Sequence, residues 1–270
     1  MLSLTGRQND IVKAARNSGR VTVDDLATLF NVTPQTIRKD LNELCERSVL
    51  KRTHGGAVIS SSVENVSYEA RRFISADEKR AIGIASARQI PNGSSLFINV
   101  GTTTEEVANA LVDHQSLLVI TNNLNVAMTL HRRPSIEVIV VGGSVRRSDG
   151  AVVGGGAVEM IRQFKVDTAV IGASAIDPDG SLLDFDMQEV HVSRAIIDNA
   201  RRVLLACDQT KFDRTAPVRI GHISEVQTFV TDRLAPAALR LICQASGVHV
   251  IETAGGANGE QKIGASLLAL

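Results

Sequence analysis

The first 57 residues carry the pattern of short amphipathic helices. Apolar positions repeat at helical spacing over about 5–17, around 26–30 and over about 34–48. A Thr-Pro pair at 33–34 supplies the cap and the first position of the third helix. Residues 49–57 then predict a short β-hairpin with a glycine turn. Three helices followed by a hairpin predict a winged helix-turn-helix.

From residue 94 the pattern changes to continuous apolar runs separated by helical stretches. The runs are SLFIN (95–99), LLVIT (117–121), EVIVV (137–141), TAVIG (168–172), VLLAC (203–207), QTFVT (227–231) and VHVIE (248–252). Continuous rather than alternating runs are typical of strands buried on both faces. Helices are predicted near 105–112, 123–131, 157–163, 186–199 and 236–246. This alternation predicts an α/β fold with a mainly parallel sheet.

These patterns predict two domains. The predicted organisation is a winged helix-turn-helix DNA-binding domain over 1–57, a linker over 58–75, a sugar-phosphate effector-binding domain over 76–252 and a flexible tail over 253–270. The linker is polar and lacks a strong period, apart from a short helix near its end. Ser75, with Glu78 three residues later, predicts a capping box at the start of the next helix.

Composition narrows the class of protein. Net charge is zero, but residues 1–57 hold nine Lys/Arg and six Asp/Glu, a balance of +3 that permits DNA binding. The three cysteines form no CxxC pair, the histidines form no HxxxH pair, and no apolar run reaches about 18 residues. We therefore expect a cytoplasmic protein with no metal, no cofactor, no catalytic residues and no membrane span.

One face of the third helix and the hairpin carry the candidate DNA contacts. The predicted DNA-binding residues are Thr33, Gln35, Thr36, Arg38, Lys39, Arg52 and His54. The first five lie at the end of the helix that would enter the major groove, where amides and a hydroxyl also suit a phosphate. The last two can reach the backbone or the minor groove. A solvated, charged helix face is the alternative interpretation of the same pattern.

The ends of five predicted strands carry small, hydroxyl, amide or charged residues. The predicted effector-binding residues are Asn99, Gly101, Thr102, Thr103, Thr104, Thr121, Asn122, Gly142, Gly143, Gly172, Asp208 and Lys211. Ligands of open parallel sheets bind beyond the strands' carboxyl ends, and the glycine-threonine loop before a helix favours a phosphate. Taken singly, each feature is as consistent with a turn or a capped helix. Together they predict a pocket for a small phosphorylated, hydroxylated ligand.

Two interpretations of this pocket remain at this point. In the first, the chain is a repressor whose dimer or tetramer binds double-stranded operator DNA and responds to the ligand. In the second, it is a sugar-phosphate isomerase with an accessory DNA-binding module, in which Asp208 and Lys211 act on the substrate.

Three carboxylates near the start of a predicted helix also have two interpretations. Asp184, Asp186 and Glu189 either line the pocket or begin a solvated helix.

Two motifs in the first 57 residues resemble the DNA-binding signature of the DeoR family. They are TIRKDL (36–41) and HGGA (54–57). The resemblance extends to the family's sensor domain, whose fold is similar to ribose-5-phosphate isomerase, through Gly101-Thr102-Thr103 and the DQTKF run at 208–212. It implies a repressor rather than an enzyme. Lys39 stands where the family more often has Arg, which keeps the positive charge. Asn99 stands where the family more often has Asp, which removes a negative charge.

Longer segments are similar to one member of that family whose inducer is glycerol 3-phosphate. They include FNVTPQTIRKDLNEL (30–44), QIPNGSSLFINVGTT (89–103) and VITNNLNVAMTL (119–130). The resemblance implies glycerol 3-phosphate as the effector. It covers the chain to about residue 252.

Overall fold

The structure is a computed structural model that describes residues 4–18, 20–47, 49–53, 55–58 and 67–254. The predicted DNA contact His54, much of the predicted linker and almost all of the predicted tail lie outside the described residues. Within the described part of the chain, no helix is long and apolar enough to cross a membrane.

Residues 4–58, which we call the head, contain three helices and a small sheet. The elements are α1 (Gly6–Ser18), β1 (Arg20–Thr22), α2 (Val23–Phe30), α3 (Pro34–Glu46), β2 (Lys51–Thr53) and β3 (Gly56–Val58). β3 lies between β1 and β2 and pairs with both in the antiparallel sense. The predicted helices and hairpin are confirmed.

The sequence of α3 explains why it starts at Pro34 and which face it buries. The Thr33 side chain accepts a hydrogen bond from the backbone N–H of Thr36 at 3.2 Å, which satisfies one of the amides left free at a helix start. Its apolar stripe is fully buried in the head core at Ile37, Leu41 and Leu44. Burial of each such side chain contributes roughly 1.5–3 kcal/mol.

A helix within the predicted linker packs against the head. This helix, α4 (Tyr68–Phe73), begins where the Ser67 side chain accepts from the N–H of Ala70. Ala70 and Ile74 belong to the head core, and the Arg47 guanidinium lies 5.0 Å from the centre of the Phe73 ring. The described end of the linker is therefore a structural part of the head.

The next helix, α5 (Ala76–Ala87), starts where predicted but without the predicted capping box. Ser75 adopts a left-handed conformation, with φ 53° and ψ 41°, and its side chain makes no capping hydrogen bond. A capping hydroxyl requires an extended backbone at the N-cap, so the sharp turn out of α4 removes that geometry. Asp77 and Glu78 in the first turn still complement the helix dipole.

Residues 76–254, which we call the sensor, form an α/β fold. Its strands are β4 (Ser95–Ile98), β5 (Leu117–Thr121), β6 (Ile136–Val140), β7 (Ser144–Val145), β8 (Val152–Val153), β9 (Val166–Ile171), β10 (Ala175–Ile176), β11 (Ser181–Asp184), β12 (Ala200–Ala206), β13 (Val218–His222), β14 (Thr228–Thr231) and β15 (His249–Glu252). Its further helices are α6 (Thr102–Ala110), α7 (Leu124–Leu130), α8 (Gly155–Ile161), α9 (Met187–Asp198) and α10 (Ala237–Ala245).

Seven strands form one wholly parallel sheet in the order β15-β14-β12-β9-β4-β5-β6. These are the seven predicted apolar runs, so the predicted parallel sheet is confirmed. Neighbouring residues of one strand enter different cores: Phe97 packs in one cluster, and Leu96 and Ile98 pack in the other. Helices cover both faces, which is why the runs are continuously apolar.

Two small antiparallel sheets were not predicted. β7 pairs with β8, and β11 lies between β10 and β13. Their strands are short and lack a clear alternation of apolar and polar positions. The β11 strand carries Asp184 to the carboxyl edge of the main sheet, where the candidate pocket lies.

Candidate DNA interface and effector pocket

The N-terminal half of α3 presents polar side chains to solvent. Gln35, Arg38 and Lys39 are exposed, and each is on the face opposite the buried stripe. A guanidinium can bind a guanine edge through two hydrogen bonds, and a primary amide can do the same with adenine. The face therefore has the donors and acceptors that reading of the major groove requires.

The two threonines at the start of α3 use their hydroxyls on each other. The Thr33 and Thr36 oxygens lie 2.9 Å apart, and Thr36 is half-buried. Arg52 is exposed in the middle of β2, where it pairs with Ala57 of β3. As DNA contacts, all of these residues remain predictions.

An ion pair and a hydrogen bond hold α3 against α1 in the head. Asp40 is buried and accepts from the Arg7 Nε at 2.6 Å, and Glu43 accepts from the Gln8 amide at 2.6 Å. These contacts join α1 to α3. Sequence analysis missed this pair, because Arg7 and Asp40 are 33 residues apart and neither lies in a repeating pattern.

The loop after β4 has the geometry of an anion site. Gly101 adopts φ 147° and ψ 147°, a conformation that strongly favours glycine, and α6 begins at the next residue. Thr102 and Thr103 are buried in the first turn of α6, where a helix leaves amides without intrahelical partners. The Thr104 hydroxyl donates back to the carbonyls of Asn99 and Gly101 at 2.7 and 2.8 Å, which holds the loop in place.

Two charged side chains follow β12, and both are buried. The Asp208 Oδ1 accepts from the Thr210 backbone N–H at 3.0 Å, whereas its Oδ2 has no hydrogen-bond partner among the described residues. Burial acts to raise the pKa of Asp208, but the charges of Lys211 and Lys79 outweigh it and the pKa is lowered. Burial lowers the pKa of Lys211 to about 7, and the attraction of Asp208 offsets this only in part.

The strand ends enclose a small cavity of about 30 Å³. It is lined by residues 100–104 and 172–174, and by Arg71, Asp184, Glu189, Ala206 and Lys211. Five of the predicted residues therefore meet there with a predicted lysine: the loop residues Gly101, Thr102, Thr103 and Thr104, then Gly172 and Lys211. An open groove of about 390 Å³ shares Thr102 with this cavity, and a larger groove of about 470 Å³ between α8 and α9 shares none of its residues.

The other predicted residues lie outside the lining of the cavity. The Asn99 amide donates to the Ser193 hydroxyl at 2.7 Å, the Thr121 hydroxyl donates to the Ile98 carbonyl at 2.6 Å, and the Asn122 amide lies 3.4 Å from the Val152 carbonyl. Gly142 and Gly143 follow β6 and are exposed.

These contacts tie the strand ends to neighbouring segments. A Cβ on Gly143 would lie 2.7 Å from the Val153 carbonyl oxygen, which explains glycine at this position. As effector contacts, the residues of both groups remain predictions.

Sequence analysis missed two cations at or near the cavity. Arg71 comes from α4, in the segment interpreted as linker, and lines the cavity. The buried Lys79 comes from α5 and lines the neighbouring groove, and its charge affects the pKa of both Asp208 and Lys211. The Lys79 Nζ donates to the Arg71 carbonyl oxygen. No periodicity marks either residue as part of a pocket. Only the fold brings them to the strand ends.

The three carboxylates at 184–189 are interpreted from sequence either as pocket lining or as the solvated start of a helix, and the structure shows both. Asp184 and Glu189 line the cavity, whereas Asp186 caps α9. The Arg146 guanidinium donates to Asp186 and Glu189, at 2.6 Å each. Burial, aided by the charge of Asp184, raises the pKa of Glu189 to about 7 against the effect of Arg146.

Comparison with known proteins identifies both halves. Residues 7–63 match the model of the DeoR-like helix-turn-helix domain, and residues 74–233 match that of the DeoR C terminal sensor domain. The molecule is thus a DNA-binding regulator with an attached sensor for a small effector. The chain belongs to the DeoR family of transcriptional repressors.

Several relatives are similar over most of their length. The glycerol-3-phosphate regulon repressor of Escherichia coli K12 is 45% identical over 87% of this chain and 93% of its own. The protein of the same name from Haemophilus influenzae is 46% identical, over 83% and 88%. The HTH-type transcriptional repressor CsqR of Escherichia coli K12 is 39% identical, over 93% and 97%. All three are named repressors, which favours the repressor over the isomerase interpretation.

Solved structures offer only a distant likeness. Ribose 5-phosphate isomerase from Plasmodium falciparum has a TM-score of 0.38 and 9% identity, over 50% of this chain and 52% of its own. A likeness at this level does not bear on function.

Proposed function

We propose that this protein represses genes of glycerol 3-phosphate metabolism and is released from its operator when glycerol 3-phosphate binds the sensor. Two of the relatives described above are named glycerol-3-phosphate regulon repressors, and each is at least 45% identical to this chain. The observation in the structure that supports an anionic effector is the set of buried cations at the strand ends.

That set consists of Lys79, Lys211 and Arg71. Lys79 is 3% exposed, Lys211 is 7% exposed, and the Arg71 side chain is 15% exposed. Buried charges of one sign are costly unless opposite charges approach them. Asp208 attracts Lys211 and Lys79, Asp149 lies 3.7 Å from Arg71, and Asp184 and Glu189 line the same cavity, so protein carboxylates already provide part of that compensation. A phosphate at the first turn of α6 would meet these cations and the helix amides together, with charge-assisted hydrogen bonds to each.

For the head, the proposal assigns base contacts to α3. Gln35 and Arg38 would read the major groove, and Lys39 would contact a base or a phosphate there. The amides near Thr33 and Thr36 would meet a phosphate, and the hairpin with Arg52 and His54 would contact the backbone or the minor groove. The protein would act as a dimer or tetramer, because two heads on one duplex match two operator half-sites one helical turn apart. Effector release requires that the ligand bind the DNA-free arrangement more tightly.

The test is a release experiment on the full chain. The operator is first recovered by selection from random duplexes, and its complex is then titrated with glycerol 3-phosphate, glycerol and inorganic phosphate while fluorescence anisotropy is recorded. We expect glycerol 3-phosphate to release the operator at lower concentrations than inorganic phosphate, and glycerol to have no effect. Calorimetry of the same ligands without DNA separates binding from release.

Two results would contradict the proposal. If no specific duplex is recovered, the assignment of the head is wrong. If glycerol 3-phosphate neither binds nor releases while another sugar phosphate does, the effector is wrong but the phosphate pocket stands. Release by glycerol alone would exclude the phosphate site.

A further inference from the structure

Helix α4 contacts the head on one side and the sensor on the other. Ala70, Phe73 and Ile74 pack in the head core. Tyr68 and Arg71, three residues apart and hence on one face, point to the sensor. No other described helix of the head or sensor contributes to both the head core and the lining of the strand-end cavity.

Hydrogen bonds fasten the Tyr68 end of α4 to the sensor. The Tyr68 hydroxyl donates to Glu105 Oε2 at 2.8 Å and accepts from the Asn125 amide at 3.0 Å. Burial and the neighbouring Glu105 raise the pKa of Tyr68, so the hydroxyl stays protonated as a donor. The Glu105 Oε1 also accepts from Asn123 at 3.0 Å. The contact thus joins α4 to the first turns of both α6 and α7.

Arg71 is held much less tightly. Its Nη2 lies 3.7 Å from Asp149 Oδ2, beyond hydrogen-bond distance, and its Nε has no hydrogen-bond partner among the residues that the structure describes. Asp149 is already bound by Arg146, at 2.9 and 2.6 Å. Asp149 therefore loses little if Arg71 leaves. A guanidinium that lines a cavity and lacks a close partner can take a new anion.

The cavity that Arg71 lines is too small for an effector in this arrangement. Its volume of about 30 Å³ is a tenth of the roughly 300 Å³ at the lower end of the range for pockets that hold small ligands. Part of the lining must therefore move when an effector enters. The lining loops at 100–104 and 172–174 follow strands β4 and β9 of the main sheet, whereas α4 contacts the sensor through the side chains of Tyr68 and Arg71 and through the Lys79 side chain.

We propose that Arg71 is a direct ligand of the effector phosphate, so that the DNA-binding half supplies one wall of the effector site. Binding would exchange Asp149 for the phosphate and displace α4. Because Ala70, Phe73 and Ile74 form part of the head core, the displacement changes the position of the head. On this proposal, the contacts of α4 described above belong to the arrangement in which the head binds DNA. The identity of the ligand rests on the proposed function, but the role of α4 does not.

The first experiment compares two variants that both remove a cation from the pocket. Arg71→Gln and Lys211→Ala should each weaken glycerol 3-phosphate binding about tenfold or more in calorimetry. At saturating ligand, Lys211→Ala should still release the operator fully. Arg71→Gln should fail to release the operator even at saturating ligand. The ratio of operator affinity without ligand to that with ligand should be about 5–150 for wild type and close to one for Arg71→Gln. Full release by saturated Arg71→Gln would overturn the proposal.

The second experiment needs no ligand. Tyr68→Phe keeps the ring and removes the hydrogen bonds that fasten α4 to the sensor, so the arrangement proposed to bind DNA should lose population. We expect operator affinity to fall about three- to tenfold without ligand. Glu69→Gln, on the exposed side of the same helix, is the matched control and should match wild type. Thermal unfolding of each variant separates a folding defect from a shift between arrangements.

The two experiments also separate the proposals. If Tyr68→Phe binds operator as wild type does, the role of α4 is wrong whatever the effector. If it loses affinity while glycerol 3-phosphate fails to bind wild type, α4 couples the halves and the proposed effector is wrong.

Discussion

The head and the sensor place their functional side chains in opposite environments. Arg38 and Lys39 of the head are exposed on a helix whose other face forms the core. Asp208 and Lys211 of the sensor are almost fully buried, and each shifts the pKa of the other. A surface site for a large polyanion requires no desolvation before binding, whereas a pocket for a small anion holds its charges in low dielectric.

This difference predicts how each half responds to substitution. Head variants should lose operator affinity and keep their stability. Sensor variants should lose stability and effector affinity together, because the same buried charges serve both.

The largest effect is expected at Asp208. Asp208→Asn removes the negative charge that compensates Lys211 and Lys79, and loss of one partner of a buried pair costs about 3–5 kcal/mol. The free energy of unfolding is measured in urea at pH 6, where Lys211 is largely protonated because its pKa is about 7. Asp77→Asn is the control, since Asp77 forms an exposed pair with Arg80 and should change stability by less than about 1 kcal/mol. Equal losses for the two variants would contradict the comparison.

The next effect concerns the effector site. Lys211→Ala should reduce the binding free energy of glycerol 3-phosphate by about 1.5–3 kcal/mol, the range for hydrogen bonds to charged groups. Calorimetry measures this, and operator affinity without ligand should match wild type. Lys165→Ala removes an exposed lysine of the sensor and should leave ligand affinity unchanged. A Lys211 variant with wild-type ligand affinity would place the phosphate elsewhere, as would the same result for Thr103→Val.

In the head, Arg38→Ala should reduce operator affinity by about 1–3 kcal/mol and relax specificity at one base pair. Lys39→Ala should instead weaken all duplexes alike and lower the salt slope by about one if it contacts a phosphate. Both should unfold within about 0.5 kcal/mol of wild type. Lys13→Ala removes an exposed lysine of α1 and serves as the control. If gel-shift titrations show wild-type affinity for both α3 variants, that helix is not the DNA interface.

The last effect is a pH dependence of stability from Glu189, which is spread over more than two pH units. Its pKa rises from 4.5 to about 7 on folding. The folded state therefore holds a proton that the unfolded state releases, and this contribution is complete below pH 4.5 and is lost as pH rises through about 7. Glu189→Gln should remove this contribution. The fall in the free energy of unfolding between pH 5 and 7 should then be less steep than in wild type, by about 1 kcal/mol per pH unit at the steepest point. An unchanged slope in urea unfolding would show that Glu189 is ionised throughout.

Local pattern was enough to predict the head and the main sheet. The cap at Thr33, the buried stripe of α3 and the seven apolar runs all depend on near neighbours or on burial on both faces, and each lies where predicted. The capping box at Ser75 failed for the opposite reason. Its sequence is right, but the turn out of α4 imposes a left-handed backbone there. A tertiary constraint overrode a local preference.

The composition of the candidate pocket was only partly predictable. Strand ends of a parallel sheet meet at one edge, so Gly101, Thr102 and Lys211 could be grouped from sequence. Arg71 and Lys79 could not, because they belong to helices whose surroundings are set by packing against distant parts of the chain. Asp208 illustrates the same limit, since its pKa depends on Lys79, which is 129 positions earlier in the chain.

Sequence pattern alone predicts the helices of the head, the seven strands of the main sheet and the type of ligand expected at each part, because helical and strand periodicity are local and burial selects apolar residues. The tertiary structure decided which charges meet and which helix joins the two halves. Charge interactions act over a few ångströms in space without regard to separation along the chain. The position of α4 depends in the same way on contacts made in space. The helix has no strong pattern of its own, and it lies between the head core and the cavity at the strand ends.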